Sequence, residues 1–345
     1  MTVLVTGNLG YIGSVLTPVL TRRGYRVRGF DSGLFADCTL SEVEAPRDQI
    51  WRDIRAIEAG DVEGLDGVIH LAGLSNDPLG ELDPSLTQAI NFDATVRLGE
   101  LARNAGVRRF VYASSQSMYG ISDSDQALDE YLSEKLPLTA YAKTKWEAEL
   151  ALMSMRAPGF EVTAFRPSTV FGASPRLRCD IVFNNFMACA FTTGSIEIKS
   201  DGKPRRPAVH VLDVCEAFIA GLEADASLVD GRAFNVGVAD GNYTVRQLAL
   251  AAQAAVPGTD LVFTGEHGSD SRTYTVGFDR ILGELGSHFN PSWDLDRGGA
   301  ELIRFFRETG FEERHFRGGV CNRLIRIGEL IEAGRIDESL RTVES

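Results

Sequence analysis

A glycine-spaced turn close to the start of this chain constrains its fold more than any other feature. An apolar strand, Val3-Leu4-Val5, runs into Thr6-Gly-Asn-Leu-Gly-Tyr-Ile-Gly13, and a helical pattern follows. Closely spaced glycines at a strand-to-helix turn let bare backbone approach a pyrophosphate, and the helix N-terminus adds N–H donors and partial positive charge. The spacing G-x-x-G-x-x-G also occurs where only packing requires it, but the strand before it favours a dinucleotide-binding turn.

A carboxylate stands at the end of the next apolar strand. The run Tyr25-Arg-Val-Arg-Gly-Phe-Asp31 places Asp31 18 residues after Gly13. At that position a carboxylate accepts hydrogen bonds from an adenosine ribose and repels a 2′-phosphate. The sequence therefore predicts NAD rather than NADP as cofactor, with contacts from Gly7, Gly10, Tyr11, Ile12, Gly13 and Asp31.

Apolar runs alternate with helix-period stretches through the first half of the chain. Further strands are predicted at 49–52, 67–73 and 109–114, and a helix from about Pro84, capped by Asp83, to Asn104. Strands that are apolar almost throughout and separated by helices indicate a parallel sheet covered on both faces. Ligands gather at the carboxyl ends of such strands, where this chain has Asp53, Ile54, Ala72, Gly73, Ser114 and Ser115.

Composition narrows the classes of partner. The formal net charge of −13 and the pI near 5.0 provide no basic face for nucleic acid or an anionic membrane. The five cysteines show no C-x-x-C pairing and no partners at metal-ligand spacing, so we expect reduced thiols and no metal. The chain begins on a strand without a leader pattern, and no apolar run approaches about 18 residues, so we expect a cytoplasmic protein.

A tyrosine and a lysine four residues apart mark a second candidate site. Tyr141-Ala-Lys-Thr-Lys145 lies in a helical stretch that runs to about Met155, and residues four apart share a helix face. An ammonium beside a phenol favours the phenolate, and lowering a tyrosine pKa from about 10 to near 7 corresponds to roughly 4 kcal/mol. Tyr141 is therefore a candidate general base at neutral pH.

These motifs together resemble the extended short-chain dehydrogenase/reductase family, and within it the NAD-dependent nucleotide-sugar epimerases and dehydratases. The resemblance covers about residues 1 to 300 and is closest in motif to UDP-sugar 4-epimerases. It rests on motifs that occur in the family's order: Thr6 to Gly13, Asp31, Asp53-Ile54, His70-Leu-Ala-Gly73, Asn91, Ser114-Ser-Gln-Ser-Met-Tyr-Gly120, Tyr141 with Lys145, Arg166-Pro167, and Arg206 four residues before His210.

The resemblance implies roles for residues of the cofactor and catalytic sites. Ser115 is similar to the serine that hydrogen-bonds the reacting sugar oxygen, Tyr141 to the base, and Lys145 to the lysine that holds the nicotinamide ribose. Asp53 is as readily a helix cap as an adenine contact. The other implied cofactor contacts are Ile54, Leu71, Ala72, Gly73, Asn91, Ser114 and Pro167.

Substrate contacts are implied in the same way. Arg206 and Arg272 resemble two diphosphate-binding arginines, whose planar guanidinium donates two hydrogen bonds at once. Thr169 replaces the asparagine that the family usually has there. The full implied set is Ser75, Ser115, Gln116, Thr169, Asn185, Arg206 and Arg272.

The resemblance further implies an α/β fold, with a doubly wound Rossmann parallel sheet and a smaller, mostly C-terminal α+β substrate domain. We expect residues 1–175 to form the NAD-binding domain, with 207–238 returning to it. Residues 176–206 and 239–345 would form the nucleotide-sugar domain. A helical tail from about residue 312 extends beyond the family core and would pack on this domain or on a partner subunit.

The two residues after Ser115 bear on the reaction. Where the family's dehydratases carry an Asp-Glu pair and its decarboxylases a glutamate, this chain has Gln116 and Ser117, neither of which is an acid or base near neutral pH. Position 117 is also not the cysteine of 3,5-epimerases. The resemblance then implies a 4-epimerase that oxidises C4 transiently, lets the 4-keto sugar rotate and returns the hydride to the other face.

Three alternatives stay open. A 4-ketoreductase or sugar dehydrogenase uses the same residues but exchanges its cofactor; a 4,6-dehydratase lacks its usual acid and base here; and a non-catalytic NAD-binding scaffold would not need the Ser-Tyr-Lys set. The family also implies a homodimer, built as a four-helix bundle from the long helix after Pro84 and the helix carrying Tyr141. The expected small-molecule partner is a nucleotide sugar.

Overall fold

The computed structural model describes residues 1–121, 126–265 and 273–343. These ranges form twelve strands: β1 (Thr2–Thr6), β2 (Arg26–Asp31), β3 (Asp48–Trp51), β4 (Gly67–His70), β5 (Arg109–Ala113), β6 (Glu161–Pro167), β7 (Thr169–Phe171), β8 (Ser195–Ile198), β9 (Arg205–His210), β10 (Arg232–Val236), β11 (Asn242–Thr244) and β12 (Asp260–Phe263).

The same ranges form thirteen α-helices: α1 (Gly13–Arg22), α2 (Asp77–Gly80), α3 (Pro84–Thr87), α4 (Ala94–Asn104), α5 (Ala140–Ser154), α6 (Val182–Thr193), α7 (Val211–Glu223), α8 (Ala226–Val229), α9 (Val245–Ala255), α10 (Asp279–Glu284), α11 (Leu295–Glu308), α12 (Glu313–Arg317) and α13 (Arg323–Glu332). Short 3₁₀ turns cover Ile54–Ala56, Ala59–Val62 and Gln116–Tyr119.

The main sheet has seven strands in the order β10-β6-β5-β4-β1-β2-β3, and all its pairings are parallel. The strand order reverses beside β1, which leaves a crevice at the carboxyl ends of β1 and β4. In β1, Val3 and Val5 join the core on one face while Leu4 joins the core on the other, as the two-residue period of a strand requires. The predicted doubly wound α/β fold is confirmed.

Helices bury both faces of this sheet, which is why its central strands are apolar. Helices α1 and α7 pack together on the face that includes Val3 and Val5, with Leu16 and Phe218 fully buried there. Helices α4 and α5 cover the other face. The sheet therefore leaves the carboxyl ends of its strands as the accessible edge for a ligand.

The long helix predicted from Pro84 to Asn104 differs from the prediction in its middle. Asp83 caps it as expected, but residues Gln88–Asp93 form a π-helical segment between α3 and α4. The wider turn lets the Asn91 amide reach the backbone of Leu74, accepting from its N–H at 2.8 Å and donating to its carbonyl at 3.0 Å. A contact between residues 17 positions apart thus accompanies the departure from the regular helix period.

A second lobe forms around a three-stranded sheet, β11-β9-β7, and a two-stranded sheet, β12-β8. Its core is a separate apolar cluster to which α6, α9 and α11 contribute Phe183, Leu248 and Phe306. Between these elements the chain returns once to the main sheet, where β10 pairs with β6. The exact division into domains stays a prediction.

The C-terminal tail packs on both lobes of its own chain, with Phe316 and Cys321 in the second-lobe cluster and Ile327 to Leu340 in a main-sheet cluster, which corrects the expectation that the whole tail belongs to the nucleotide-sugar domain. Ile327, Leu330, Ile336 and Leu340 are buried in the cluster that also contains Ile54. Over residues 1–121, 126–265 and 273–343, no helix combines the length and the apolar character needed to cross a bilayer.

Candidate active site

A cavity of about 760 Å³ lies at the carboxyl ends of the main-sheet strands, a size typical of small-molecule sites. Its wall brings together all three predicted catalytic residues, Ser115, Tyr141 and Lys145. It also contains most of the predicted cofactor residues: Gly7, Gly10, Tyr11, Ile12, Gly13, Asp31, Asp53, Ile54, Leu71, Ala72, Gly73, Ser114 and Pro167.

The glycine turn is tight enough to require glycine at two of its three positions. Gly7 has φ +69°, and a Cβ there would lie 2.8 Å from the backbone nitrogen of Ala72. A Cβ on Gly13 would overlap the Gly7 carbonyl oxygen, whereas one on Gly10 would meet only that oxygen, at 3.2 Å, and otherwise faces open space. The turn therefore presents bare backbone to the cavity at the start of α1, as a pyrophosphate site needs.

The Asp31 carboxylate is fixed at the end of β2 by backbone donors. The N–H groups of Leu9 and Gly33 donate to it at 3.2 and 2.8 Å. Burial raises the pKa of Asp31, while these two hydrogen bonds and the Arg176 guanidinium act in the opposite direction. The side chain is thus oriented before any ribose binds.

Asp53 is a cap residue that also lies in the cavity wall. Its carboxylate caps the 3₁₀ turn by accepting from the N–H of Arg55 at 2.8 Å and forms an ion pair with the Arg55 guanidinium at 2.5 Å. It also lines the cavity next to Ile54. Burial raises the pKa of Asp53, but the contacts with Arg55 outweigh burial and lower it. The group therefore stays ionised.

Ser115, Tyr141 and Lys145 meet because a strand end, a turn and a helix converge. Ser115 follows β5 and accepts from the N–H of Ser117 at 3.1 Å, while its hydroxyl is hydrogen-bonded to that of Tyr141. Tyr141 and Lys145 share one face of α5. Lys145 Nζ donates to the carbonyl of Ala113 at 2.8 Å. An ammonium carries three N–H donors, so this bond leaves capacity for a ribose hydroxyl.

The pKa of Tyr141 differs from the expectation based on its spacing to Lys145. Burial raises the pKa of Tyr141; the hydrogen bond from Ser115 and the more distant Arg178 guanidinium counteract this only in part. Burial also lowers the pKa of Lys145 to about 8. Lys145 donates to Ala113, so the expected lowering of the Tyr141 pKa by a directly adjacent ammonium was wrong.

A buried ion pair supports the site from behind. Glu149, on α5, accepts from Arg166 Nη2 at 2.5 Å and Nε at 3.0 Å, and both side chains are at most 3% exposed. Ser114 Oγ donates to the same carboxylate at 2.6 Å. Arg166 Nη1 donates to the hydroxyl of Tyr119 at 3.0 Å. The network ties α5 to β5 and β6, and so fixes Ser115 relative to Tyr141.

Asn91, predicted to reach the cofactor region, lies one layer behind the cavity wall. Its amide holds Leu74, and a Cβ on Gly73 would come within 2.9 Å of Asn91 Oδ1. Its structural effect is to set the course of the loop after β4, along which the cofactor would pass.

The predicted substrate residues divide into three groups. Ser75, Ser115, Gln116, Thr169 and Arg206 line the cavity. Asn185 does not, because its amide donates to the carbonyl of Cys179 at 2.9 Å and accepts from Cys189. The neighbouring Asn184 is buried and joins Gly172, Tyr11 and Arg178. Arg272 lies outside the described residues.

Sequence reasoning missed a charged pair in the cavity wall. Arg178 forms a two-point ion pair with Asp180 at 2.7 and 2.9 Å and donates to the Ser75 hydroxyl at 2.7 Å. Asp77 is a further wall residue and accepts from Thr139 at 2.6 Å. The run Pro175-Arg-Leu-Arg-Cys-Asp180 offers no spacing that would separate these side chains from surface charges. Across the described ranges, no cluster of His, Cys, Asp and Glu could hold a metal ion.

These residues fit NAD. The bare turn suits its pyrophosphate, Asp31 lies where an adenosine ribose would follow, and Lys145 has donors left for the second ribose. A doubly wound sheet with this turn and a Ser-Tyr-Lys set in one cavity defines an NAD-dependent enzyme of the short-chain dehydrogenase/reductase class. The profile described as the NAD dependent epimerase/dehydratase family matches residues 3–237, and the chain belongs to that family.

Individual relatives include both branches of the family. The chain is 30% identical over 323 residues to a UDP-glucose 4-epimerase from Mycolicibacterium smegmatis, covering 89% of this chain and 99% of that protein. It is 25% identical over 323 residues to a dTDP-glucose 4,6-dehydratase from an Actinoplanes species, covering 89% and 98%. Among solved structures, MoeE5 in complex with UDP-glucose and NAD has a TM-score of 0.75 and 26% identity, covering 90% of this chain and 99% of MoeE5.

Proposed function

We propose that this protein is an NAD-dependent nucleotide-sugar 4-epimerase, acting through Ser115, Tyr141 and Lys145. The observation that carries the proposal is the chemistry of the wall beside Tyr141. Gln116 and Ser117 follow Ser115 there, and the Gln116 amide is held by the carbonyl of Arg166 at 3.0 Å and the hydroxyl of Ser168 at 3.1 Å. A carboxamide fixed in this way can orient a sugar but cannot remove or deliver a proton.

Two carboxylates that line the cavity, Asp180 and Asp77, are already engaged by other side chains. Asp180 is paired with Arg178. Burial raises the pKa of Asp180, but the pairing outweighs burial and lowers it. The group therefore stays ionised and cannot act as an acid at neutral pH. Asp77 accepts from the cap residue of α5, Thr139, which fixes its position at the helix start. These contacts favour a reaction that needs proton transfer at the C4 oxygen alone.

The proposed mechanism gives each residue one task. Bound NAD supplies reversible hydride transfer to and from C4. Tyr141 takes the proton of the C4 hydroxyl as the hydride leaves and gives it back when the hydride returns. Ser115, within hydrogen-bond reach of Tyr141, orients the same oxygen. Lys145 would hold the nicotinamide ribose through the N–H donors that remain beside its bond to Ala113.

A half-buried arginine supports binding of a nucleotide diphosphate. Arg206, at the start of β9, lines the cavity wall formed by the second lobe. Its guanidinium can donate two parallel hydrogen bonds to a phosphate. The relatives named for UDP-glucose make a UDP-sugar the first candidate substrate.

A ligand screen followed by a conversion assay tests this function. Thermal shift with UDP-, dTDP- and GDP-sugars should single out one nucleotide, since a ligand at 100 times its dissociation constant adds about 2.7 kcal/mol of stability. The protein should then convert the bound sugar into its C4 epimer without added reduced cofactor. A Tyr141→Phe protein, which keeps the cavity shape, is the matched control. Failure to convert any sugar that stabilises the protein would contradict the proposal.

A 4-ketoreductase remains the second candidate, because the same three residues would serve it. Its sign would be stoichiometric oxidation of NADH as product forms. A third possible outcome is a 4-keto-6-deoxy product, since one relative is named a 4,6-dehydratase. The positions after Ser115 lack the acid and base that such a reaction usually needs.

A further inference from the structure

We propose that the C-terminal segment of residues 319–340, here called the strap, forms the outer wall of the adenosine end of the NAD site and retains the cofactor there. The inference rests on the placement of NAD given above and does not depend on which sugar reaction follows. The family profile ends at residue 237, so the strap lies outside the part of the chain that defines the family.

The strap contributes directly to the cavity. Four of its residues are part of the same wall as the glycine turn and Asp31: Asn322, Arg323, Leu324 and Leu340. Helix α13 starts inside this segment, with Asn322 as its cap, and its buried face packs against the domain through Ile327 and Leu330. The strap is therefore part of the site and not an appendage on a distant surface.

One end of the strap is fixed where adenine would lie. Arg55 Nη2 donates to the carbonyl of Ser339 at 2.9 Å, and the same guanidinium is paired with Asp53 in the cavity wall. The next residue, Leu340, is 6% exposed and shares an apolar cluster with Ile54. Leu340 thus closes the wall beside Asp53 and Ile54.

The backbone of Leu340 is held in an unfavourable conformation. It has φ +59°, the one positive φ at a non-glycine position over the described ranges. A left-handed conformation costs an L-residue roughly 1–2 kcal/mol, so it persists where surrounding contacts impose it. The Leu340 N–H donates to the carbonyl of Asp337 at 3.0 Å in the turn between Ile336 and Thr342, and the hydrogen bond from Arg55 to Ser339 and the burial of the leucine side chain hold this turn against the domain.

The other end of the strap is anchored to both lobes. Cys38 Sγ donates to the carbonyl of Gly319 at 3.3 Å, and Arg326 pairs with Asp37 at 2.6 Å, both on the loop after β2. On the second lobe, the N–H of Cys179 donates to the carbonyl of Cys321 at 3.0 Å. The strap therefore bridges the lobes along the cavity.

Arg323 contributes to this bridge through both charge and packing. It donates to the carbonyl of Arg176 at 2.8 Å, and its guanidinium lies 5.4 Å from the ring centroid of Phe35, another wall residue. A guanidinium at this distance from an aromatic ring is within the range of a cation–π contact. NAD bound beneath the strap would have to displace these contacts, or pass them, in order to leave.

The chemistry of the strap suits a purine. Leu324 and Leu340 add apolar side chains to the cavity wall that also contains Ile54 and Asp31, so an adenine ring can lie against apolar surface while its ribose faces the carboxylate. Burial of a leucine side chain contributes about 1.5–3 kcal/mol. The strap should therefore affect the adenosine part of the cofactor and leave the binding of a uridine diphosphate unchanged.

Substitutions in the strap test this inference on the full-length protein freed of nucleotide. Leu340→Gly removes the side chain and tolerates the positive φ, and Leu324→Ala removes a side chain that is 39% exposed, so its effect on folding is small. The matched control is Ile325→Ala, the next residue of α13, which is 40% exposed and does not line the cavity. Dissociation constants for NAD, AMP and UDP are measured by calorimetry, and the NAD dissociation rate by displacement.

The inference predicts a specific pattern. Leu340→Gly should weaken NAD and AMP by about 10-fold and Leu324→Ala by about 3-fold, with faster NAD release, since a factor of ten corresponds to 1.4 kcal/mol. UDP affinity should stay within about 2-fold of the parent in every variant, as should NAD affinity in Ile325→Ala. Unchanged NAD and AMP binding in a folded Leu324→Ala protein would overturn the inference, whatever the fate of Leu340→Gly.

Discussion

Replacing Asp31 should change which dinucleotide the protein binds. A charge-assisted hydrogen bond contributes about 1.5–3 kcal/mol, so losing the bond to the adenosine ribose should weaken NAD by roughly 10- to 150-fold. Two like charges about 4 Å apart repel by about 4 kcal/mol at an effective dielectric constant of 20, so NADP should gain when the carboxylate is removed. The ratio of NADP to NAD affinity should rise by at least about 100-fold.

Two substitutions separate charge from shape. The N–H groups of Leu9 and Gly33 donate to different oxygens of the Asp31 carboxylate, so Asp31→Asn keeps the acceptor for one of them and places an amide nitrogen against the other. Asp31→Ala leaves both donors without that acceptor and should also lower stability. If charge repulsion decides the preference, the asparagine variant should bind NADP nearly as well as the alanine variant does.

The pH dependence follows from the raised pKa of Asp31. Since burial raises this pKa, the carboxylate should become protonated at a higher pH than an exposed aspartate, and NAD affinity should begin to fall there on acidification. Asp31→Asn should abolish that part of the dependence. Calorimetric titrations with both dinucleotides from pH 8 downward measure it, with Asp48→Asn, on the exposed start of β3, as control. An unchanged NADP-to-NAD ratio in both Asp31 variants would refute the assigned ribose contact.

Three further predictions concern catalysis, stability and assembly. Tyr141→Phe should keep the fold and NAD affinity while turnover falls by about 10²-fold or more, the scale of a lost general base. Near-normal turnover would show that Tyr141 is not the base. Arg166→Met leaves the buried Glu149 carboxylate uncompensated, so it should lower the free energy of unfolding by about 3–5 kcal/mol in denaturant titrations. The control Arg156→Met, at an exposed pair with Asp230, should lower it by about 1 kcal/mol or less. Light scattering at micromolar concentration should show a homodimer, and a monomer would contradict the four-helix interface proposed for α4 and α5.

The main sheet, the glycine turn and the Ser115, Tyr141 and Lys145 set could be predicted because they depend on local sequence patterns. Glycine spacing, the acid after β2 and the strand-end serines each belong to one stretch of sequence, and the parallel sheet brings their ends to one edge. Tyr141 and Lys145 need only the helix period to share a face. These features therefore required no knowledge of long-range packing.

The remaining features depend on contacts between distant residues. The π-helical segment exists because Asn91 binds Leu74, 17 positions away. Lys145 donates to the carbonyl of Ala113, a contact that no helix rule predicts. Without the lysine charge directly beside it, Tyr141 keeps a pKa raised by burial. The strap is held at the cavity by the hydrogen bond from Arg55 to Ser339, two residues 284 positions apart. The apolar spacing of its helix predicted a buried face but did not indicate what that face covers.

The central claim, 4-epimerisation, is tested most directly by following hydrogen during turnover. If the hydride leaves C4 and returns to the same carbon, the epimer made in D₂O should carry no carbon-bound deuterium, and absorbance of reduced cofactor should show no net change. Gln116 and Ser117, which follow Ser115, provide no base that could exchange a sugar C–H with water. Deuterium at C5 or a neighbouring carbon, or consumption of NADH in proportion to product, would contradict the epimerase and point to a dehydratase or a ketoreductase.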